Sequence, residues 1–488
     1  MADMNYLAAI IIPLYLLLTV GLMAFIGRGT KGNLKDYTLG GKALPWYVTS
    51  GSMIASLIGG GTLMGYVGYY YQFGIEWGWM GVGCGLTLLF MGLKIAPRIK
   101  KLNLNSVAEI FAMRYDSKTR VVASILIMIG DFAVFCAMIS SFATLLSGYV
   151  GLSHTAAMVL AIVVFILSTF LGGFKGIAYT DLIQSILILV GVVAVGVFAF
   201  FKAGAVEGFA TLPEGMLNPF SGNIPGFTMV GNVIALVGMF FVSQSTVIQK
   251  VNASRSPKDA KKAMIMFAVS TGFAMLVFIG SMGLSSRVIF GDGITNSDDV
   301  IVHLLGAVPP LLGAIYAAAI VAAVLTTANA MLMSSGLCFA NDIIGIMKPN
   351  MPEKKKVLVT RTYIVLASVV GYILVEYIPS IITWIMLAYT IQNAMILPMY
   401  AGLMSKRISS RTGFLSLLIS GIAILIWELT GEPMGIHPIF VGLAASIVVL
   451  IVSAAFDKAP LSARQSALVY AYTNNVDFVD PEAKAQEE

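Results

Sequence analysis

Charged side chains are scarce in this sequence: they make up 11% of the 488 residues, whereas 58% are hydrophobic. A water-soluble domain needs more charge to cover its surface. The apolar residues form blocks of about 20, separated by short basic or glycine-rich stretches, and that is the length of a helix that crosses a bilayer core. The composition therefore excludes an ordinary soluble domain and predicts an all-α, polytopic membrane protein.

Cysteine and histidine are also sparse, with three residues of each. Cys84, Cys136 and Cys338 fall inside apolar blocks, where they are small packing residues, and no disulfide or zinc pattern is visible. The histidines do not cluster in the sequence. No Gly-Lys-Ser/Thr phosphate loop follows a glycine run, and no strand precedes one to make a dinucleotide fingerprint. We therefore expect a protein that is not an enzyme.

About thirteen transmembrane helices are predicted, because backbone groups in lipid must be paired within their own segment. They form one transmembrane domain, residues 1–456, followed by a tail at 457–488. The predicted spans are 7–25, 46–70, 77–95, 121–150, 155–171, 177–201, 230–247, 263–290, 310–343, 357–378, 381–403, 413–429 and 438–455.

The basic residues predict the orientation of these spans. Of the 30 lysines and arginines, only Lys202 and Arg287 fall in connections on one side of the membrane. Cytoplasmic loops carry the excess of basic residues, so the N-terminus is predicted outside and the C-terminus in the cytoplasm of a cell inner (plasma) membrane. The net charge of +6 is then explained by loops that face anionic lipid. It indicates neither nucleic acid nor an obligate protein partner.

The second span contains three consecutive glycines, Gly59, Gly60 and Gly61, near the predicted bilayer midplane. Glycine disfavours a continuous helix, and a break at this depth frees carbonyls that can bind a cation. Alternatively, the glycines only allow neighbouring helices to pack closely. Both interpretations stay open at this point.

Hydroxyl groups cluster in the ninth span, at Thr326, Thr327, Ser334 and Ser335. Such hydroxyls often bond back to carbonyls one turn earlier in their own helix. Two adjacent hydroxyls together with a broken second span favour an ion site instead, because Na⁺ requires several oxygen ligands and water is absent at that depth.

Two of the carboxylates within predicted spans are candidates for a functional site: Asp131 in the fourth span and Asp181 near the start of the sixth. A carboxylate in hydrocarbon is costly, so each is expected to face the bundle interior with a partner. Asp181 could alternatively be an interfacial residue paired with Lys175. Asp342, at the end of the ninth span, has the pattern of a solvated helix end.

Three segments resemble the sodium:solute symporter family. Residues 172–184, Gly-Gly-Phe-Lys-Gly-Ile-Ala-Tyr-Thr-Asp-Leu-Ile-Gln, are similar to the family's Gly-Gly…(Trp/Tyr)-Thr-Asp-x-x-Gln signature. Residues 36–41, Asp-Tyr-Thr-Leu-Gly-Gly, resemble its Asp-Tyr-x-x-Gly-Gly segment, and Ala323 to Thr327 is the third match. The three occur in the right order and on the right spans.

The resemblance implies a LeuT-like fold of two inverted five-helix repeats, residues 46–201 and 230–403, with an extra helix at 7–25 and two more at 413–455. It also implies a Na⁺ site and an ion release path through Asp181. The implied Na⁺ ligands are the carbonyls of Ala55, Ile58 and Ala323 and the hydroxyls of Thr326 and Thr327.

Some positions depart from the family pattern. Family members that hold a second Na⁺ have further hydroxyl groups at positions that look like Asn329 and Ala330 of this chain. Because alanine has no side-chain oxygen, we expect one Na⁺ per cycle. Leu57 stands where the proline transporters have an aspartate, which argues against assigning proline by analogy.

We therefore predict sodium-coupled import of a small organic solute by alternating access. A carboxylate at Asp131 would favour an amino acid or another amine-bearing nutrient. A proton-coupled symporter of the same fold and a transporter-like solute sensor are the alternatives; a channel is disfavoured because no filter-like repeat is visible. The predicted solute-binding residues are Thr62, Trp77, Asp131, Phe135, Gln244, Trp384, Tyr389 and Gln392.

Overall fold

The chain forms an all-helical bundle in this computed structural model, which describes residues 6–27, 42–104, 106–242, 245–378, 380–457 and 459–482. Ten helical stretches within these ranges are long and apolar enough to cross a membrane, and shorter apolar helices lie at Gly226–Phe240 and Pro438–Ser453. The stretch Gly61–Leu102 combines the C-terminal half of the second span with the whole third span. The described helices thus account for the thirteen predicted crossings.

The first six crossings match the predicted spans to within a few residues. Their helices are α1 (Tyr6–Gly27), α2 (Trp46–Leu57), α3 (Tyr66–Phe73), α4 (Gly78–Phe90), α5 (Ala96–Leu102), α6 (Val107–Arg114), α7 (Ser117–Leu145) and α8 (His154–Lys202). Predicted spans five and six both lie in α8, and the chain turns between them at Gly173, whose φ of 55° is in the left-handed region that glycine tolerates.

The remaining seven crossings follow the same pattern. Their helices and connections are α9 (Ala205–Phe209), α10 (Gly226–Val242), α11 (Ser245–Ala253), α12 (Pro257–Phe273), α13 (Gly280–Phe290), α14 (Val300–Ala307), α15 (Pro310–Leu337), α16 (Gly345–Met347), α17 (Glu353–Tyr377), α18 (Ile381–Gln392), α19 (Ile396–Met404), α20 (Ser410–Leu429), α21 (Pro438–Phe456) and α22 (Ala463–Asn474).

Wide π-helical turns interrupt several spans. They lie at Gly61–Gly65, Met91–Ile95, Leu146–Val150, Ala274–Ile279 and Cys338–Ile344. Short 3₁₀ turns lie at Gly74–Trp77, Ser297–Asp299, Asn393–Met395 and Pro433–Gly435. The second, fourth and ninth spans, which are long in the sequence, each contain one of the π turns. A π turn holds more residues than an α-helical turn, so these turns accommodate the extra residues of the long spans without lengthening them in proportion.

Helix α15 lies at the centre of the bundle and is buried along almost its whole length. It packs against α1, α2, α7 and α8, and the small side chains of its Ala317–Ala319 segment let these neighbours approach. Helix α1 lies at the periphery, where Leu14, Leu17 and Leu18 point outward and are exposed. Apolar exposure of this kind is expected where a helix faces lipid.

The connections alternate between two ends of the bundle. At one end Leu44 bridges to Ser254 and Lys100 Nζ donates to the carbonyl of Asn252 at 2.7 Å. At the other end Ile75 N donates to the carbonyl of Met216 at 2.8 Å. This sorting agrees with the alternation that the basic residues predict.

The tail contains a helix, α22, that docks on the basic end of the bundle. Gln465 Nε2 donates to the carbonyl of Tyr115 at 2.9 Å, and the backbone N–H of Phe478 donates to the carbonyl of Lys101 at 3.1 Å. The tail therefore packs against the connection between the third and fourth spans.

The predicted orientation can be tested by cysteine labelling of intact cells. Thr295 and Lys354 are exposed on opposite ends of the bundle, and the three native cysteines are buried. We expect Thr295→Cys to react with a membrane-impermeant maleimide in intact cells, and Lys354→Cys to react only after lysis. The reverse pattern would place the basic end outside and overturn the assignment.

Candidate functional site

The second span is broken at its glycines. Helix α2 ends at Leu57, and Ile58 leaves the helix with φ −78° and ψ 62° before the π turn begins at Gly61. The carbonyls of the last helical turn then have no intrahelical partner. The break predicted from the glycine run is therefore present, at a buried position inside the bundle.

Hydroxyl groups satisfy these freed carbonyls one by one. Thr326 Oγ donates to the carbonyl of Ala55 at 2.7 Å, and Thr327 Oγ donates to that of Ser56 at 3.0 Å. Thr62 Oγ donates to the carbonyl of Leu57 at 2.9 Å. Two of the three donors belong to α15, so the break in one repeat is closed by the other repeat.

The same two threonines also reach back to Ala323, whose carbonyl lies 2.9 Å from each hydroxyl oxygen. Hydrogen bonds thus join the oxygens of Ala55, Ala323, Thr326 and Thr327 in one cluster between α2 and α15. Backbone carbonyls freed where a membrane helix unwinds are known ligands of Na⁺. Four of the five predicted oxygens meet here, and Ile58 follows directly after the helix end.

The glycines allow this close approach. A Cβ at Gly59 would overlap the hydroxyl of Thr327, and a Cβ at Gly60 would lie 2.5 Å from Ser141. The two interpretations of the glycine run are therefore compatible, because the same residues break the helix and let α15 and α7 pack against the break.

Asp181 lies beside the inner half of α2 and is fully buried. Ser52 Oγ donates to its Oδ2 at 2.6 Å, and Lys250 Nζ of α11 lies 3.9 Å from the same oxygen. Lys175, the alternative partner suggested by the sequence, is exposed, so the pairing is with Lys250. Among the described residues, Asp181 Oδ1 has no hydrogen-bond partner.

Asn329 serves helix packing. Its Oδ1 accepts hydrogen bonds from Ser168 Oγ at 2.7 Å and Thr169 Oγ at 2.8 Å, both on α8. The amide oxygen is thus committed to two neighbours, and Ala330 offers no side-chain oxygen. One Na⁺ per cycle stays a prediction.

A narrow cavity of about 20 Å³ lies beside the break. Apolar side chains and hydroxyls from the second, fourth, ninth and eleventh spans share its wall. The lining residues are Ser56, Leu57, Gly59, Gly61, Thr62, Val134, Met138, Thr327, Met331, Ile385 and Tyr389.

Of the predicted solute-binding residues, Thr62 and Tyr389 line this cavity. Asp131 and Gln392 lie outside it and bond to each other, with Gln392 Nε2 3.1 Å from Asp131 Oδ1. Gln244 lies outside the described residues, as does the 36–41 motif.

The other three predicted aromatic side chains pack elsewhere. Phe135 is buried against Phe165, with ring centroids 5.8 Å apart, and Trp77 packs edge-on against Tyr66 at 5.3 Å. Trp384 Nε1 donates to the carbonyl of Ile378 at 2.8 Å. None of the three is among the lining residues.

The apolar lining residues were missed by the sequence reasoning. Val134 lies one turn from Asp131, and Ile385 lies one turn from Tyr389. The sequence reasoning therefore selected the correct helices, and on α18 the lining residue Tyr389, but not the apolar residues beside them. Apolar side chains in an apolar span carry no signal that separates a cavity wall from lipid contact. The helix face could be identified only from the three-dimensional packing.

Asp342 is a correction to the sequence analysis, because it is buried rather than solvated. Arg120 Nε donates to its Oδ1 at 2.9 Å, and Ser106 Oγ lies 3.3 Å from its Oδ2. The ninth span continues as the π turn Cys338–Ile344, which packs against α7 and brings the carboxylate to Arg120.

A short segment covers one side of the break. This segment, the 3₁₀ turn Ser297–Asp299 together with α14, packs against the part of the second span that follows the break, where Gly68 has no room for a Cβ against the carbonyl of Ser297. Asp298 Oδ2 accepts the backbone N–H of Ile381 at 3.0 Å, at the start of α18. The cover thus joins the second span to the eleventh.

Sequence comparison identifies similar proteins. A model of the sodium:solute symporter family matches residues 37–421. The sodium/proline symporter of Haemophilus influenzae is 25% identical over 84% of this chain and 86% of the relative. That of Staphylococcus aureus is 24% identical over 94% of both chains. The sodium/pantothenate symporter of H. influenzae is 25% identical over 71% of this chain and 74% of its own.

Solved structures share the fold. A Na⁺-coupled sialic acid symporter, in a substrate-bound outward-open state, gives a TM-score of 0.80 at 18% identity, covering 93% of this chain and 99% of its own. Mhp1, a nucleobase-cation-symport-1 family transporter, gives 0.56 at 15% identity, covering 89% and 98%. The predicted LeuT-like fold is confirmed.

The segment that covers the break contains a titratable group, Asp298. Burial raises the pKa of Asp298 to about 6, the N–H of Ile381 lowers it in part, and the nearby charge of Asp299 raises it. A carboxyl whose pKa is raised on folding binds protons more tightly in the native state, so its charge costs stability above that pKa. The folded state should therefore be favoured as pH falls through about 6.

We expect Asp298→Asn to raise the free energy of unfolding by about 2 kcal/mol at pH 7.5, by about half of that at pH 5, and by little below about pH 4. The reason is that asparagine keeps an acceptor for Ile381 but carries no charge. Thermal unfolding of detergent-purified protein across this pH range measures the difference. Asp299→Asn is the matched comparison: that neighbour is partly exposed and its charge is the smaller cause of the raised pKa, so its effect should have the same sign and be smaller. A gain independent of pH would contradict the assignment.

Proposed function

The chain belongs to the sodium:solute symporter family, and from that premise we propose that it imports a small organic solute together with Na⁺ by alternating access. It is a multi-pass membrane transporter rather than an enzyme. The observation that carries the proposal is the convergence of the Ala55 and Ala323 carbonyls with the Thr326 and Thr327 hydroxyls at the break.

Coupling follows from where these oxygens come from. Ala55 belongs to the first repeat, and Thr326 and Thr327 belong to the second. A cation that needs all of them binds only the arrangement in which α2 and α15 are together, so it shifts the conformational equilibrium toward that state. We propose that external Na⁺ stabilises the outward-open state and completes the adjoining cavity. The membrane potential supplies about 2.3 kcal/mol per charge per 100 mV, a concentration ratio of roughly fifty.

The cavity favours a small solute that bears a carboxylate. Among its described lining residues there is no charged side chain, and Leu57 and Met138 provide apolar walls. The chain after the break starts a new helical segment at Gly61, where the N–H groups of Thr62 and Leu63 donate to the carbonyl of Gly59. The N–H groups that precede them are the ones that would bind an anion. Proline and pantothenate, which the relatives transport, both carry a carboxylate.

The structure weakens the case for an amine. That case rested on Asp131, which lies outside the cavity and is bonded to Gln392. Proton coupling through Asp181 is the second candidate, because its Oδ1 has no hydrogen-bond partner among the described residues. Replacing Na⁺ by choline at fixed pH distinguishes the two modes of coupling.

We expect Na⁺, compared with choline at equal concentration and pH, to raise the unfolding temperature of the purified protein. Ligands that bind only the native state stabilise it, by about 2.7 kcal/mol at a hundred times Kd. The gain should be lost in Thr326→Ala with Thr327→Ala. It should persist in Thr360→Ala, a buried threonine whose hydroxyl bonds within its own helix at 3.0 Å. Equal stability in Na⁺ and choline would refute sodium coupling.

The solute class can be tested in the same assay. Small carboxylates, amino acids, amines, sugars and nucleobases are each added with and without Na⁺. We expect stabilisation by carboxylate-bearing compounds, larger in Na⁺, and loss of that stabilisation in Gly61→Ala, because a Cβ there would overlap Ile385. Stabilisation by amines that lack a carboxylate would contradict the proposed class.

A further inference from the structure

Lys250 is a buried lysine next to the ion site, and the proposed function does not use it. Its side chain is 3% exposed and lies on α11, which packs against α2. Burying an ammonium group is costly unless its charge is paired and its protons have acceptors. The contacts of the Lys250 side chain therefore indicate its role beside the ion site.

The ammonium group bridges two residues of the broken helix. Lys250 Nζ donates to the carbonyl of Ser52 at 2.6 Å and to the hydroxyl of Ser56. It also lies 3.9 Å from Asp181 Oδ2, whose hydrogen-bond donor is Ser52 Oγ. One cation thus contacts the inner half of α2 and the carboxylate that is expected to receive the departing ion.

Ser56 connects this cation directly to the ion site. Its hydroxyl accepts from Lys250, and its carbonyl accepts from Thr327. Ser52 and Ser56 are one helical turn apart, about 6 Å along the axis, and Ala55 lies between them. An ammonium bound to both serines is therefore within about one helical turn of the Ala55 carbonyl.

Two positive charges this close repel each other. At an effective dielectric constant of about 20, an uncompensated unit charge about 6 Å away weakens the binding of a second one by roughly a hundredfold. The negative charge of Asp181 next to Lys250 offsets part of this repulsion, which leaves an effect of roughly tenfold. After Na⁺ leaves, a buried Asp181 without a cation would be strongly disfavoured. Lys250 can neutralise it at once, because the lysine is tethered to the chain and cannot diffuse away.

We propose that Lys250 is a tethered cation that competes with Na⁺: it lowers the affinity of the ion site and neutralises Asp181 once the ion has left. This inference rests on the proposed function. It assigns Lys250 as a positioning residue that tunes ion release and is not itself a ligand of the transported ion.

The test is a Na⁺ titration of thermal stability in purified full-length protein, with choline keeping the ionic strength constant. We expect Lys250→Met to lower the half-saturating Na⁺ concentration by about tenfold, because the repelling charge is gone. Lys250→Arg keeps the positive charge and should have the half-saturating Na⁺ concentration of the wild type. Lys100→Met is the matched control, since Lys100 also donates to a backbone carbonyl on α11 but does not contact α2 or Asp181 through any described hydrogen bond.

A second pair of variants covers the case in which Lys250→Met does not fold. Asp181→Asn alone should weaken Na⁺ binding, and adding Lys250→Met to it should strengthen binding again by about tenfold or more, because the double variant buries neither charge. An unchanged half-saturation in a protein that responds to Na⁺ would overturn the role of Lys250 alone. Absence of any Na⁺ response in the wild type would instead overturn the proposed function.

Discussion

The satisfaction of backbone groups inside the membrane is the constraint on which this structure depends. Breaking α2 at its glycines releases the carbonyls of Ala55, Ser56 and Leu57 where no water is available. Each carbonyl is satisfied by a threonine hydroxyl, two of them from α15. The central helix must therefore pack against the break, and this packing places cation ligands from both repeats at one point.

Buried charged side chains are paired in a similar way. The buried carboxylates Asp181 and Asp342 each have a cation from another helix, Lys250 and Arg120. Each pair also includes a serine hydroxyl, from Ser52 and Ser106 respectively. Because an unpaired buried charge is costly, such pairs hold helices together only while both partners stay in contact, and moving one helix changes the electrostatics of the other.

The sequence was sufficient for the spans, the break and the hydroxyls that close it, because each depends on composition or local spacing. It was not sufficient for the partner of Asp181. Lys175 is near Asp181 in sequence, whereas Lys250 comes close to it only when α11 packs against α2. The same holds for Asp131, which was expected in the solute cavity and bonds to Gln392 instead. The orientation of a side chain around an apolar helix is decided by packing, and every face of such a helix has a similar composition.

Both ends of the bundle bring backbone against backbone, with Gly68 against the carbonyl of Ser297 at one end and Leu44 paired with Ser254 at the other. The basic end adds a second kind of contact, in which long side chains donate to carbonyls, as where Arg114 donates to those of Gly402 and Ile408 at 2.6 Å. Water can replace hydrogen bonds of the second kind, so their net contribution is small, about 1 to 3 kcal/mol each. An equilibrium held by a few such bonds lies within the range that the differential binding of one cation can shift.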